Sequence, residues 1–331
     1  MFLTSILNRA VMTVDHVCSR LQVRMGERRG GLVTLFFHGV FLDEKEITLD
    51  LAYPQQRTTL DDMLRIIEYY QAAGYRFISP GDLLREPDPA GRYALLTFDD
   101  GYFNNQRMLP LLEKFDVPAL FFVPGEMVLT GKAYWWDVLW RSRRGQGASV
   151  DTVMAETWNR VGARADKIES EVMTLAGVNE LHAVSDTDRL FTAEELAKFA
   201  AHPLVSIGNH GCSHECLTAY SSAEAQAILA RAQQQLTSIT GKVPLAIAYP
   251  YGFLSPSVVA ACRTVGLKLG FTTEAWKHYF PTKSAADDLF KIGRCTIWSD
   301  RPLEPQCELT RADLQWHAKY RSFIERRKRG G

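Results

Sequence analysis

The chain is short of the usual shortcuts to a function. Its six cysteines, Cys18, Cys212, Cys216, Cys262, Cys295 and Cys307, form no CxxC pair. Such scatter excludes a paired-cysteine motif and fits free thiols acting as small core residues in a reducing compartment. Net charge is lacking too: Lys+Arg and Asp+Glu both number 38, so nothing electrostatic points to a nucleic-acid partner. No uninterrupted apolar run reaches transmembrane length. At the start, MFLTSILNRAVMT, Asn8 and Arg9 break the apolar patches, which argues against a secretory signal. There is no internal repeat and no low-complexity segment. What remains is a chain of 331 residues, 46% hydrophobic and 23% charged, the composition of a soluble globular protein. It is long enough for one large α/β domain or two small ones.

The organising stretch is Leu95-Leu96-Thr97-Phe98-Asp99-Asp100-Gly101. The apolar run over 93–98 reads as a buried strand. Burying charge is costly unless it is paired or binds a metal. A strand running from the core into Asp-Asp-Gly therefore either delivers two carboxylates to a site or ends in an acidic turn. In parallel α/β folds the C-terminal strand ends are where ligands bind. Successive strand residues face opposite sides, so Asp99 and Asp100 should have different tasks.

Strands and helices alternate around this stretch. Strands are expected at 33–37 (ending in His38-Gly39), 76–79, 93–98, 118–123, 205–208, 244–248, 269–273 and 291–297. Helices are expected at 59–73, 105–115, 193–201, 222–239 and 257–265, with a polar loop at 41–57. This order predicts a parallel sheet or barrel. Thr192-Ala193-Glu194-Glu195 is a capping box, and Ser255-Pro256 opens a helix with proline at its first position. Residues 131–190 break the rhythm and read as a helical insertion beside the site. Its cluster Trp135, Trp136 and Trp140 suits either sugar stacking or a local core, and tryptophans at this density favour core. Apolar residues at helical spacing over 2–24 predict an amphipathic helix, either packed on the domain or lying at a membrane surface. The basic end 326–329 reads as a solvated tail, with anionic lipid as the other reading. The expected organisation is thus an N-terminal helical segment (1–30), a barrel (31–300) and a helical, basic tail (301–331).

Three strand ends carry polar groups: His38, Asp99-Asp100, and His210 with His214. Histidines four apart on one helical turn would share a face, roughly 6 Å from each other. Two histidines and a carboxylate suit Zn2+ or a similar divalent ion with an open position for water. An isolated HxxxH also arises by chance. Following a buried strand, and paired with DDG after another, it carries more weight.

TFDDG at 97–101, NHGCSH at 209–214 and AYPYG at 248–252 together resemble the polysaccharide deacetylases of carbohydrate esterase family 4, the NodB-type domain. The resemblance spans about 31–297, excluding the insertion. It implies a distorted (β/α) barrel and metal-dependent removal of an N-acetyl group from an amino sugar. By the same resemblance Asp100, His210 and His214 would hold a divalent metal, Zn2+ before Co2+, Ni2+ or Mn2+. Asp99 would be the general base, and Tyr251 would offer a backbone N–H to the oxyanion. FFHGV at 36–40 is similar to the N-terminal histidine segment of a circularly permuted branch, which would make His38 the general acid. His278 and His317 lie in segments unlike the family's C-terminal Leu-x-His motif, in agreement with that reading.

Two departures stand out. Gly211 replaces the Ser or Thr common after the first histidine, and Ala248 replaces a common arginine. The second change deprives Asp99 of an orienting cation, and Arg294, on the last expected strand, is the candidate replacement. A surface ion pair is the alternative role for Arg294.

The chemistry suits these residue types. A divalent ion polarises a carbonyl and lowers the pKa of water. A carboxylate accepts the water's proton, and a histidine can protonate the departing nitrogen. The expected function is an amino-sugar N-deacetylase, cytoplasmic or peripheral at the inner membrane, serving surface-polysaccharide assembly. Its substrate would be a nucleotide- or lipid-linked precursor, or the polymer if the chain is exported. The rival readings are an amidohydrolase or deformylase on another amide, and a catalytically silent carbohydrate-binding domain.

Overall fold

Side chains along the strands alternate between two separate apolar clusters, and this alternation arranges the molecule. The computed structural model describes residues 18–23, 26, 30–85, 87–280 and 288–313. The strands are β1 (Gly31–Phe37), β2 (Val40–Phe41), β3 (Thr58–Thr59), β4 (Arg76–Phe77), β5 (Arg92–Phe98), β6 (Ala119–Val123), β7 (Val205–Asn209), β8 (Ala246–Ala248), β9 (Leu269–Phe271) and β10 (Cys295–Thr296). The main sheet runs β10-β1-β5-β6-β7-β8-β9, with β4 beside the start of β5, while β2 and β3 form a small pair. Every pairing is parallel.

Runs such as ALFFV in β6 are buried on both faces, as parallel sheets covered by helices require. Tyr93, Leu95, Leu120, Phe122, Ala246, Ala248, Leu269 and Phe271 point inward and pack together with Leu32 and Ile292. The opposite phase, including Leu35, Leu96, Phe98, Phe121 and Val123, packs outward against the helices. The sheet closes on itself through residues 292–296: Ile292 bridges to Phe271, and Cys295 pairs with Leu35. The result is the distorted (β/α) barrel.

Local signals set the helices. Helix Leu60–Ala72 starts at a Thr59/Asp62 capping box, Ala193–Ala201 at Thr192/Glu195 and Ser222–Thr240 at Ser221/Glu224. Helix Pro256–Thr264 has proline in its first turn and is capped by the Ser255 side chain. The insertion contains helices Trp135–Gly145, Val150–Trp158 and Ala165–Ala176. Their residues Trp135, Trp136, Leu139, Ile168 and Val172 join the outer core, so the tryptophans fill packed space.

Three local expectations need correction. The loop 41–57 contains helix Glu44–Thr48, capped by the Asp43 side chain. The strand expected over 291–297 is reduced to Cys295–Thr296, because the Arg294 N–H leaves the ladder to donate to Glu274 O at 2.9 Å. The strand expected over 76–79 pairs only at Arg76–Phe77. Of the N-terminal helix expected over 2–24, residues 18–23 are described and are helical. The rest of that helix and the basic end 326–329 lie outside the described residues. Among the described residues no helix is long and apolar enough to cross a membrane.

Gly208 of β7 lies against Phe122 inside the barrel, where a Cβ would fall 2.4 Å from the ring. Gly208→Ala is therefore expected to destabilise the protein by about 1–3 kcal/mol through overpacking, read as a lower urea midpoint. An unchanged midpoint would mean that the Phe122 ring yields freely.

Candidate active site

Because the strands are parallel, their C-terminal ends share one rim. β1 there leads into His38, β5 into Asp99 and Asp100, β7 into His210 and β8 into Tyr249 to Tyr251. Asp99 continues the inward phase of Tyr93, Leu95 and Thr97. Its partner is Arg294, which reaches it from across the closing segment. Nη1 lies 2.6 Å from Asp99 Oδ1 and Nη2 2.8 Å from Oδ2. The guanidinium is fully buried, donates through Nε to Thr272 O at 2.9 Å, and lies over Phe36 and Phe122, 4.0 and 5.5 Å from their ring centres. A planar fork that meets both carboxylate oxygens orients them in a way that a lysine could not.

Asp100 turns the other way. Its φ of +75° is unusual for a residue with a side chain. The turn places its Oδ1 3.4 Å from His210 Nε2 and 3.4 Å from His214 Nε2. Asp100, His210 and His214 thus offer three ligand atoms within 4.8 Å of one another, all from buried residues. His210 Nδ1 lies 2.8 Å from Ala248 O, which can only accept, so the proton sits on Nδ1 and Nε2 presents its lone pair. Asp100 Oδ1 and His210 Nε2 have no hydrogen-bond partner although they are buried. Buried polar atoms are normally satisfied, and a divalent cation would satisfy both. Oxygen and nitrogen donors in this number fit Zn2+ or a similar ion. Burial, helped by the neighbouring His210, pushes the His214 pKa down to about 3, so that ring is neutral, as a ligand must be.

The His210–His214 spacing does not work through a helix. The five residues form a tight turn with φ of +78° at Gly211 and +56° at His214, and the ring centres are 4.6 Å apart. The Gly211 N–H donates to Asn209 Oδ1 at 2.8 Å, an off-helix bond that diverts the chain.

His38 is half-buried, with Nδ1 3.4 Å from Gln56 Oε1. Gln56 Nε2 donates to Phe36 O at 3.0 Å and Ile297 O at 2.6 Å, which fixes the amide with its oxygen toward the imidazole. Nδ1 is then the donor, and Nε2 is left for other chemistry. Tyr251 has φ of +59°, and its ring stands edge-on to His214 with centres 4.5 Å apart. All seven residues singled out in the sequence therefore lie at one rim.

Sequence reasoning missed the residues around them. Oriented to satisfy its neighbours, the Gln55 amide donates to Asp100 Oδ2 at 3.2 Å and accepts from Trp136 Nε1 at 3.3 Å. Tyr134 OH donates to Asp100 O at 2.6 Å. Trp136 stacks on Tyr134 at 4.1 Å and stands edge-on to His214 at 4.9 Å, so the insertion forms a wall of the site. The insertion also grips the loop carrying Gln55 and Gln56. Trp140 Nε1 donates to Asp50 O, Arg141 Nη1 to Leu51 O, and the Tyr53 N–H to Asp137 Oδ1, at 3.2, 3.2 and 2.7 Å. A cleft lined by His38, Tyr53, Gln55, Gln56, Tyr102 and Thr187 opens beside that loop. No residue spacing announces a Gln-Gln pair of this kind.

The chain belongs to the polysaccharide deacetylase family, whose model matches residues 86–270, more than half of its length. No curated protein sequence matches it. Among solved structures, the Streptococcus pyogenes deacetylase PplD in complex with acetate is similar, with a TM-score of 0.58 and 17% identity over 85% of this chain and 99% of that one. IcaB from Ammonifex degensii is similar at 0.57 and 19%, over 86% and 98%. BC0361, a polysaccharide deacetylase from Bacillus cereus, reaches 0.56 and 16%, over 85% and 69%. At such identities the likeness is one of fold.

Two outcomes are expected. Arg294→Ala leaves Asp99 buried without its cation and should cost about 3–5 kcal/mol in a denaturant titration; a loss below about 1 kcal/mol, the scale of an exposed pair, would contradict the pairing. Burial pushes the Asp137 carboxyl up to about 8. The folded state then holds that proton where the unfolded chain has lost it, so this contribution to stability falls as pH rises from about 4 to 8. Asp137→Asn should remove that decline, seen as a flatter melting temperature against pH.

Proposed function

We propose that this chain is a metal-dependent N-deacetylase acting on an amino sugar. The observation that carries the reading is the trio Asp100 Oδ1, His210 Nε2 and His214 Nε2, gathered around unsatisfied buried atoms with the Arg294-held Asp99 beside them. Asp100, His210 and His214 would hold the ion. When bound, a divalent ion such as Zn2+ polarises the amide carbonyl and makes water more acidic.

The protein's own residues do the rest. Asp99 accepts the proton of the attacking water, and Arg294 keeps both its oxygens in place through the transfer. The Tyr251 backbone N–H donates to the oxygen on which charge develops, a contribution typically worth a few kcal/mol. His38, with Nδ1 held by Gln56, delivers a proton from Nε2 to the departing nitrogen. The amine and acetate leave, Asp99 gives the proton it took back to solvent, and His38 Nε2 takes one up again before the next turnover. The substrate we assign is an amino sugar in a surface polysaccharide or its nucleotide- or lipid-linked precursor. The enzyme would work in the cytoplasm or peripherally at the inner membrane.

The test begins with metal content. Purified protein should carry or take up about one divalent ion per chain, and Asp100→Ala and His210→Ala should each lose it. Asp99→Asn should keep the ion but release amine from N-acetylated amino-sugar precursors about 10²–10⁴-fold more slowly. Wild-type protein that takes up no divalent ion would end the hydrolase reading and leave a carbohydrate-binding domain as the one to pursue.

A further inference from the structure

The turn that carries both histidines is tied through four backbone N–H groups and two carbonyls. His210 N donates to Val123 O at 3.2 Å, and Gly211 N to Asn209 Oδ1 at 2.8 Å. The Gly211 carbonyl accepts from Gly125 N at 3.2 Å, and the Cys212 carbonyl from Glu126 N and Met127 N at 3.0 and 3.3 Å. Two further donors, Cys212 N and Ser213 N, both point at one atom, Glu215 Oε2, at 2.9 Å each. Successive N–H groups converging on a carboxylate form a small anion nest. Glu215 is buried, immediately follows the second histidine and folds back over the turn. It is not among the gathered ligand atoms.

Gly211 completes the arrangement. A Cβ there would lie 2.6 Å from Glu215 Oε2, and its φ of +78° favours glycine. The carboxylate oxygen thus occupies the space into which a side chain on residue 211 would grow. Gly211 lacks the hydroxyl of the Ser or Thr common at this position, and the Glu215 carboxylate stands in its place.

We propose that Glu215 is a positioning residue that fixes the His210–His214 turn for metal capture, in the role of the hydroxyl that Gly211 lacks. The proposal rests on the metal-site reading above. Glu215 would act as a hydrogen-bond acceptor rather than as a ligand. Without it the N–H groups of Cys212 and Ser213 lose their partner, the turn relaxes and the two imidazoles no longer share one point.

The experiment is a Zn2+ titration of the full chain against a chromogenic chelator, for wild type, Glu215→Ala, Glu215→Gln and Gly211→Ala. The melting temperature of each metal-free protein is recorded alongside. Glu215→Ala should bind Zn2+ about 10–100-fold more weakly, the usual effect of losing a group that orients a ligand. Glu215→Gln, whose amide oxygen can accept the same two bonds, should stay close to wild type. Gly211→Ala, which presses on the carboxylate, should weaken binding with Glu215 intact. If Glu215→Ala proves unfolded, the contrast between Gly211→Ala and Glu215→Gln decides. Wild-type affinity in Glu215→Ala, or in Gly211→Ala when that contrast decides, overturns the proposal, as does Glu215→Gln as weak as Glu215→Ala. Absence of Zn2+ uptake by the wild type overturns instead the reading on which it rests.

Discussion

A carboxylate at the mouth of an apolar barrel needs a cation, and the two adjacent aspartates of this protein are arranged so that only one finds it within the chain. Asp99 is matched oxygen for nitrogen by Arg294. That arginine is fully buried against Phe36 and Phe122, where an unpaired charge would be very costly. Asp100, one residue on, faces two imidazoles and keeps an unsatisfied oxygen. The alternation of the strand separates the two tasks, and the left-handed backbone at Asp100 completes the separation.

Much of this was legible in the sequence, for identifiable reasons. Buried strands ending in DDG and in NHGCSH are local patterns, and a parallel sheet brings such ends together wherever they occur along the chain. Arg294 could be singled out because Ala248 left a charge without a partner. The helical reading of HxxxH did not survive, since Asn209 and Glu215 draw the turn's N–H groups away from helical partners. Gln55, Gln56 and the grip of helix Trp135–Gly145 on the 50–57 loop were not legible at all. Those contacts join residues far apart in sequence through single hydrogen bonds, and neither periodicity nor motif spacing records them.

The insertion illustrates how such contacts shape a site from outside it. Its tryptophans are core residues by burial, yet Trp136 also borders His214. The same helix that supplies this wall holds the loop that orients His38 and Asp100. Packing and site geometry are therefore properties of one set of contacts.

The closure of the barrel by residues 292–296 has a consequence for how the molecule assembles. The Asp99–Arg294 contact spans 195 residues of chain. Until the segment carrying Arg294 has been synthesised, the strand bearing Asp99 cannot enter its final environment without an uncompensated charge. Contacts of such long range make folding slow. The rim that carries Asp99 should then be the last part of the protein to reach its native form, after the outer helices have already packed. A chain interrupted shortly before residue 294 would hold most of its secondary structure and have an acidic, open mouth where the finished protein has a site.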